Sequence, residues 1–296
     1  MIFNFLYILG DKLEEILRDF ERYLEDNLPQ VESFHPFFND TLQKMLLAGG
    51  KRFRPELLLS VINAYQPLLI SNAFPVALGI ELLHTYSLIH DDLPAMDDAE
   101  LRRGETTLHT VYDEASAILA GDALNAHAFY MISIAPLRDD IKVKLVSELS
   151  YNGGIGGMVL GQAIDCYFED KTLDLDELKF LHIHKTAKLI AASLKMGGII
   201  AGISKDKLDK LFDFGERLGL LFQVQDDIID VTLNEDEAGK TTGNDSSKNS
   251  FVNLLGIKKA KEYRNDLRDK LKNDSSEFDK KLSNSLQKIL DRFKDS

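Results

Sequence analysis

No proline follows Pro136, and this absence restricts the folds that the second half of the chain can adopt. All seven prolines of the 296 residues fall at or before that position. Beyond it, apolar residues recur at spacings of three and four, as in an amphipathic α-helix, and strand-like alternation is absent. Turn-forming stretches are short, as in Asn-Gly-Gly at 152–154, and suit connections between helices. We therefore predict an all-α bundle.

The apolar period predicts about ten helices, which we expect to form one domain spanning residues 1–296. The expected helices cover 11–28, 36–48, 54–66, 73–93, 112–134, 139–165, 175–202, 205–232, 250–272 and 276–294. Two segments within these helices, 73–93 and 208–231, are apolar on nearly every face. A helix of that kind needs neighbours on all sides, so both should be central.

The composition argues against several function classes. The formal net charge of -13 at pH 7 disfavours general binding of nucleic acid, whose phosphates would be repelled. The single cysteine, Cys166, excludes an intramolecular disulfide and fits a reducing compartment, so we expect a cytoplasmic protein. The apolar opening at 1–9 lacks a basic segment and is too short to span a membrane. We expect it to begin the first helix or to fray, without stable membrane insertion.

Two aspartate clusters lie near the C-terminal ends of the two apolar helices. The first aspartate cluster covers 91–98 and the second covers 226–230. An unpaired carboxylate is costly to bury, so these groups should be paired, hydrogen-bonded or bound to metal. Helical spacing of three and four in the second cluster, and a helix loosened at Pro94 in the first, let the carboxylates converge. Hard oxygen ligands favour Mg²⁺ or Mn²⁺ over zinc. The predicted metal ligands are Asp91, Asp92, Asp97, Asp226, Asp227 and Asp230.

Cationic and polar side chains occur where an anionic ligand would need them. The segment 49–55, Gly-Gly-Lys-Arg-Phe-Arg-Pro, offers a flexible glycine pair and three cations just before a helix. The segment 101–104, Leu-Arg-Arg-Gly, supplies two guanidiniums that can grip phosphate oxygens. His84 lies two helical turns before Asp91, and Gln223 lies on the same side of its helix as the second aspartate cluster.

Seven motifs, in this order, resemble those of trans-type polyprenyl diphosphate synthases, and of their bacterial farnesyl diphosphate synthases in particular. The motifs are Gly-Gly-Lys-Arg-x-Arg-Pro at 49–55, the long first aspartate motif at 87–98, Leu-Arg-Arg-Gly at 101–104, Ala-Gly-Asp-Ala-Leu at 120–124, Gly-Gln-Ala-Ile-Asp at 161–165, His-Lys-Thr at 184–186 and Phe-Gln-Val-Gln-Asp-Asp-Ile-Ile-Asp at 222–230. The resemblance extends to Lys248, and Asn249 departs from it because serine or threonine is more common there.

The resemblance implies an isoprenoid-synthase-type fold, in which the helices surround a deep central cavity and the two clusters face each other across its mouth. It implies three Mg²⁺ ions, for which Mn²⁺ can substitute, that bridge the clusters to an allylic diphosphate. The implied substrates are isopentenyl diphosphate and dimethylallyl or geranyl diphosphate. They react by ionisation, condensation and proton elimination. A homodimer is also implied.

The same resemblance assigns roles to single residues. Around the departing diphosphate it implies the cations Arg102, Lys185 and Lys240. Around isopentenyl diphosphate it implies Lys51, Arg54, His84 and Arg103. The full implied set of substrate-binding residues is Lys51, Arg54, His84, Arg102, Arg103, Lys185, Thr186, Gln223, Lys240 and Lys248. Those expected to be catalytic are Arg102, Lys185, Thr186 and Gln223, the last two near the carbocation.

Product length should depend on what blocks the cavity beneath the first aspartate cluster. Tyr86 stands five residues before Asp91, about 7.5 Å deeper along the helix. A bulky ring there favours (2E,6E)-farnesyl diphosphate, with geranylgeranyl diphosphate as the alternative. A non-catalytic partner subunit is a further alternative, but it would not need the intact aspartates. A metal phosphohydrolase, suggested by the dipeptide His90-Asp91, would need more histidines, and a terpene cyclase would not need a second diphosphate pocket.

Overall fold

The computed structural model of the chain describes residues 3–169, 171–232 and 249–294, with side chains described from residue 12 onward in these ranges. The described residues are mostly helical, and the prediction of an all-α fold is confirmed. They divide into two compact units, Met1–Val143 and Lys144–Ser296. The prediction of a single domain over 1–296, and that of a central cavity, stay predictions.

In the first unit, several helices pack on one long apolar helix. Its elements are α1 (Phe3–Asp26), α2 (Phe38–Leu47), α3 (Phe53–Tyr65), a 3₁₀ turn (Pro67–Leu69), α4 (Ile70–Asp91), β1 (Leu101–Arg102), β2 (Glu105–Thr106), α5 (Leu108–Val111) and α6 (Glu114–Ile134). The apolar helix α4 packs on α1, α2, α3 and α6. Every residue of α4 from 73 to 83 is buried, as expected of a helix without a polar face.

A close contact between two helices and a β-hairpin are two local features of this unit. A Cβ on Gly79 would lie 2.7 Å from the carbonyl oxygen of Ala128, so the backbones of α4 and α6 approach each other without space for a methyl group. The strands β1 and β2 form an antiparallel hairpin in which Arg102 pairs with Glu105. Its turn residues, Arg103 and Gly104, have φ of 57° and 78°, the positive values of a type I′ turn.

The second unit is built on two long helices that pack on each other. Its elements are α7 (Asp139–Gly153), which contains the boundary between the units, α8 (Met158–Phe168), α9 (Leu175–His182), a π-helical turn (Ile183–Ala187), α10 (Lys188–Ala201), α11 (Lys205–Thr232), α12 (Phe251–Leu255), α13 (Ile257–Ser275) and α14 (Lys280–Leu290). The helices α10 and α11 form the centre, and α13 packs on α11. Gly215 lets α11 approach α10 closely, because a methyl group there would overlap Ala191.

Two segments pass a test of length and hydropathy for membrane-spanning helices, namely Pro67–Asp91 and Glu114–Ile134. The most apolar window of the first is 61% buried inside the protein, and that of the second is 39% buried. Core helices of soluble proteins pass the same test, so this is weak support for a membrane span.

The predicted helices agree with the structure best where the apolar period is uninterrupted. The prediction at 205–232 matches α11 (Lys205–Thr232). The single helix predicted over 139–165 is wrong, because a glycine-rich connection separates α7 from α8. The helix predicted over 250–272 is interrupted at Gly256, whose φ of 80° is left-handed and favours glycine.

Candidate active site

The first aspartate cluster lies where α4 ends. The N–H of Asp97 donates to the carbonyl oxygen of Asp91 at 2.9 Å, and the N–H of Ala99 donates to that of Asp92 at 3.1 Å. Pro94 lies in this turn, and proline disfavours the helical conformation in the residue before it. The backbone of Asp97 therefore returns to Asp91, as the loosened helix in this motif predicted.

The β-hairpin holds Arg102 against this cluster. Its Nε donates to Oδ1 of Asp92 at 2.7 Å, and its Nη2 lies 3.8 Å from Oδ2 of Asp91. The Asp92 side chain is 2% exposed. Burial raises the pKa of Asp92 to about 6, against the attraction of Arg102 and with added repulsion from Asp91 and Asp97. One arginine thus faces three carboxylates, and a divalent cation would neutralise the excess negative charge.

A buried glutamate organises a group of basic side chains in the same unit, which we call the cationic cluster: Arg52, Arg54, His84 and Arg103. Glu81, in α4, is 2% exposed and pairs with Nη1 of Arg52 at 3.0 Å and Nη2 of Arg103 at 3.6 Å. Arg52 also pairs with Glu21 at 2.8 Å and donates to the carbonyl oxygen of Leu46 at 2.9 Å. Two of the three arginines, the buried Arg52 and the half-buried Arg103, therefore have acidic partners.

The glycine pair before these cations is required by its contact with Arg103. Gly49 and Gly50 have φ of 81° and 139°, a region that favours glycine. Nη1 of Arg103 donates to the carbonyl oxygen of Gly49 at 2.5 Å. A Cβ on Gly50 would lie 2.9 Å from Cζ of Arg103. The pair therefore lets the backbone lie directly against the guanidinium.

Arg54 and His84 present buried nitrogen atoms that no described residue satisfies. Both Nε of Arg54 and Nδ1 of His84 are buried and have no hydrogen-bond partner among the described residues. Burial lowers the pKa of Arg54 to about 10, with Glu81 opposing and Arg103 adding to the effect. Burial and the cation of Arg54 hold the pKa of His84 well below its usual range. A buried donor without a partner, such as Nε of Arg54, is costly, so this group marks a place where an anion would bind.

In the second unit, a hydrogen-bond chain runs from the π-helical turn to the second aspartate cluster. The Thr186 hydroxyl donates to Oε1 of Gln223 at 3.2 Å, and Nε2 of Gln223 donates to Oδ1 of Asp227 at 2.8 Å. The N–H of Phe251 donates to Oδ2 of Asp227 at 2.7 Å. The structure thus brings together Thr186, Gln223 and Asp227, which the sequence analysis had assigned to one site.

Asp227 is buried beside other carboxylates. Burial raises the pKa of Asp227 to about 7, although the hydrogen bonds from Gln223 and Phe251 oppose the shift. The charges of Asp226 and Asp230 raise the pKa further. A cation bound here would compensate the buried charge of Asp227 and reduce the repulsion from Asp226 and Asp230.

Lys185 is fixed by two neighbours on α8. Its Nζ donates to Oδ2 of Asp165 at 2.6 Å. A methyl group on Gly161 would overlap the backbone of Lys185, so only glycine lets α8 lie this close to the π-helical turn. The motif at 161–165 therefore supplies both the space for Lys185 and its counterion.

The donor set fits Mg²⁺ that is shared with a substrate. Within the described residues, no group of three or more His, Cys, Asp or Glu side chains forms a ready metal site. Each cluster nevertheless offers a buried aspartate beside other carboxylates, and both burial and those neighbours raise the pKa of Asp92 and of Asp227. Mg²⁺ commonly binds one or two carboxylates and completes its shell with phosphate oxygens and water. The two clusters are suited to that mode of binding.

The remaining predicted lysines are either exposed or outside the described residues. Lys51 is exposed, beside the buried Arg52. Lys240 and Lys248 lie outside the described residues. Asn249, the departure from the family pattern, is anchored, since its Nδ2 donates to the carbonyl oxygens of Phe168 at 2.8 Å and Lys171 at 2.9 Å. This asparagine therefore ties the chain next to Lys248 to the connection between α8 and α9.

Sequence reasoning missed the acidic partners of the cations and the role of Arg52. Glu81 lies three residues before His84 on the same helix, and this spacing could have identified it. Asp165 ends a motif that was recognised without a role. Glu21 gave no signal, because it lies in an ordinary charged stretch of α1.

Comparisons with known proteins agree with these observations. The model of the family described as polyprenyl synthetase matches residues 35–289. A farnesyl diphosphate synthase of Micrococcus luteus is 42% identical, over 84% of this chain and 86% of its own length. A chloroplastic geranylgeranyl pyrophosphate synthase of Capsicum annuum is 38% identical, over 98% of this chain and 78% of its own length.

A solved structure is similar over nearly the whole chain. It is a geranyltransferase of Helicobacter pylori complexed with magnesium and isoprenyl diphosphate. The TM-score is 0.92 and the identity 49%, and the match covers 95% of this chain and 96% of that one.

Proposed function

We propose, from the premise that this chain belongs to the polyprenyl synthetase family and is a prenyl transferase, that it makes farnesyl diphosphate. The substrates would be isopentenyl diphosphate and dimethylallyl or geranyl diphosphate. Similar relatives include both farnesyl and geranylgeranyl diphosphate synthases, so similarity alone leaves the product length open. The half-buried ring of Tyr86, five residues before Asp91, supports the fifteen-carbon product.

The observation that carries the proposal is the pair of unsatisfied buried nitrogens on Arg54 and His84. The diphosphate of isopentenyl diphosphate would accept hydrogen bonds there, with Arg103 and the exposed Lys51 adding charge. A terpene cyclase binds one diphosphate and has no use for such a pocket. This separates a condensing enzyme from a cyclase.

The allylic diphosphate would bind at the two aspartate clusters together with Mg²⁺. Three ions are proposed, with Mn²⁺ as an acceptable substitute. Bound metal supplies charge neutralisation for the leaving diphosphate. Arg102 and Lys185 would bind the same group, and Lys240 and Lys248 are proposed to assist them. The bond between the allylic carbon and the diphosphate oxygen breaks, and the electron pair leaves with the diphosphate.

The hydrogen-bond chain of the second unit would stabilise the resulting allylic cation. Because Nε2 of Gln223 donates to Asp227, its Oε1 is the end that accepts from Thr186 and presents negative charge. The alkene of isopentenyl diphosphate attacks the cation, and a carbon–carbon bond forms. A proton then leaves the new cation, with the released diphosphate as the proposed acceptor, and an alkene is restored.

We also propose that the protein is a homodimer and is located in the cytoplasm. The face of α6 exposes four large apolar side chains, which are Ile118, Leu119, Tyr130 and Ile134, each at least 42% exposed. An apolar face of this kind is suited to a second copy of the chain. Light scattering should give twice the monomer mass, and Leu119→Glu should reduce it to the monomer.

The experiment that tests the function is incubation of the purified protein with Mg²⁺, labelled isopentenyl diphosphate and geranyl diphosphate, with chromatography of the dephosphorylated products. A dominant fifteen-carbon alcohol is expected, and Asp227→Asn should make almost none. A dominant twenty-carbon alcohol would replace the farnesyl assignment with geranylgeranyl diphosphate. No incorporation with either allylic starter would contradict the enzyme and favour a non-catalytic partner subunit.

A further inference from the structure

His90, in the last turn of α4, makes two contacts that the proposed chemistry does not use. Its Nε2 donates to the carbonyl oxygen of Ile118 in α6 at 3.0 Å. Its ring meets the Tyr86 ring edge-on, with centroids 5.5 Å apart and planes at 86°. An edge-to-face pair of this kind has a preferred geometry, so each ring restricts the other.

The surface of α6 is shaped to receive the imidazole. Gly121 lies three residues after Ile118, and a methyl group there would overlap Nε2 and Cδ2 of His90. This glycine is buried and belongs to the Ala-Gly-Asp-Ala-Leu motif at 120–124, to which no role has been given so far. The hydrogen bond to Ile118 and the space left by Gly121 therefore fix the His90 ring against α6. We call this place on α6 the seat of the imidazole.

Tyr86 packs against the His90 ring and lies near Asp122 of α6. Its side chain is half-buried. Burial raises the pKa of Tyr86, and the charge of Asp122 in α6 adds to the effect. The tyrosine thus has one neighbour on α6 and one on its own helix. Without the imidazole, the ring would lose the neighbour that limits its movement along α4.

We propose that His90 is a positioning residue for product length, which acts by holding the Tyr86 ring in place from a seat formed by Gly121 and the carbonyl group of Ile118. The proposal rests on the proposed function, because Tyr86 limits length only if the chain elongates a prenyl diphosphate. A larger prenyl chain has to displace the tyrosine ring, and a ring that is braced by His90 resists that displacement.

The test is the ratio of twenty-carbon to fifteen-carbon product from geranyl diphosphate and isopentenyl diphosphate, measured for His90→Ala, Tyr86→Ala and the double variant. His90→Ala should raise the ratio about two- to tenfold, the range that corresponds to the loss of one aromatic contact. Tyr86→Ala should raise it further. The double variant should match Tyr86→Ala, because His90 acts through that ring.

Two further variants separate positioning from general damage. Gly121→Ala leaves both rings in the chain but fills the seat of the imidazole, so it should also raise the ratio. His35→Ala, an exposed histidine of the same unit, should leave the ratio unchanged. Thermal melting of each variant controls for folding. A loss of stability lowers total turnover, whereas the product ratio is read only from enzyme that works.

The outcomes are distinct. An unchanged ratio in His90→Ala, from a wild type that makes the fifteen-carbon product, would overturn the role of His90 alone. A double variant that exceeds Tyr86→Ala would also overturn it, because His90 would then act independently of the ring. A wild type that makes mainly the twenty-carbon product would remove the basis for both residues. A wild type without any product would overturn the proposed function itself.

Discussion

Glu81 determines how charge is distributed in the cationic cluster. It pairs with Arg52 and Arg103, while Nε of Arg54 has no hydrogen-bond partner among the described residues. If every arginine had a carboxylate partner, an anionic substrate would have to compete with it. The glutamate therefore stabilises the cluster and leaves donors for a ligand.

The replacement Glu81→Gln should destabilise the first unit strongly. Removing the buried charge of Glu81 takes a carboxylate partner from Arg103 and leaves Arg52 with the more exposed Glu21, at a cost of about 3 kcal/mol or more. Glu21→Gln is the matched control, because Glu21 pairs with the same Arg52 but its side chain is 39% exposed. Its loss should be under about 1 kcal/mol. Urea unfolding measures both, and equal losses would contradict the role of Glu81.

Asp165 should control the rate rather than the binding of isopentenyl diphosphate. It holds Nζ of Lys185 at 2.6 Å, so Asp165→Asn should displace that amine and lower kcat about tenfold or more. The KM for isopentenyl diphosphate should stay near the wild-type value. Asp213→Asn, an exposed aspartate in α11, is the control. A raised KM with an unchanged kcat would contradict the assignment.

These residue partnerships could be predicted from the sequence only in part. The aspartates, Arg54, His84 and Gln223 stand in motifs whose spacing indicates their chemistry. The pairing of Arg52 with Glu81 joins residues that are 29 positions apart, and it depends on how α3 and α4 pack. Neither composition nor helical periodicity contains that information.

Among the elements, the π-helical turn between α9 and α10 has the largest effect on the candidate site. It carries Lys185 and Thr186 and interrupts a stretch predicted as one helix over 175–202. One added residue in a turn changes the apolar period too little to be recognised. Gly161 was quoted as part of a motif, but its contact with Lys185 required the structure.

His182, at the end of α9, should make the stability of the second unit fall at acidic pH. His182 is 5% exposed, neither of its ring nitrogens has a partner among the described residues, and it stacks on Phe251 of α12. Burial lowers its pKa from 6.5 to about 4. Between those values the unfolded chain binds the proton more readily, so stability falls as the pH falls.

The expected size of this effect is about 2 kcal/mol between pH 7.5 and pH 5. His182→Leu should remove that part of the pH dependence, and the difference between the variant and the wild type should grow toward pH 5. His184→Leu is the control, because His184 is a close neighbour in the chain but its side chain is only half-buried. Parallel pH profiles for wild type and His182→Leu in urea unfolding would contradict the prediction.

For the whole molecule, the net charge of -13 has to be reconciled with the two diphosphate substrates that we propose. A negative protein repels them in general, so binding depends on the cationic cluster and on divalent cations at the aspartate clusters. A chelator should abolish turnover. Mg²⁺ should restore it and Mn²⁺ should substitute, and turnover that persists in the chelator would contradict the metal assignment.

The claim that isopentenyl diphosphate binds at the cationic cluster is tested most directly by two-substrate kinetics of Arg54→Gln. The loss of a buried, charged donor should raise the KM for isopentenyl diphosphate about tenfold or more, and the KM for geranyl diphosphate should change less than about twofold. Arg138→Gln, at an exposed arginine that pairs with Asp140, should change neither. Equal increases of both KM values, or no change in either, would contradict a separate site for isopentenyl diphosphate.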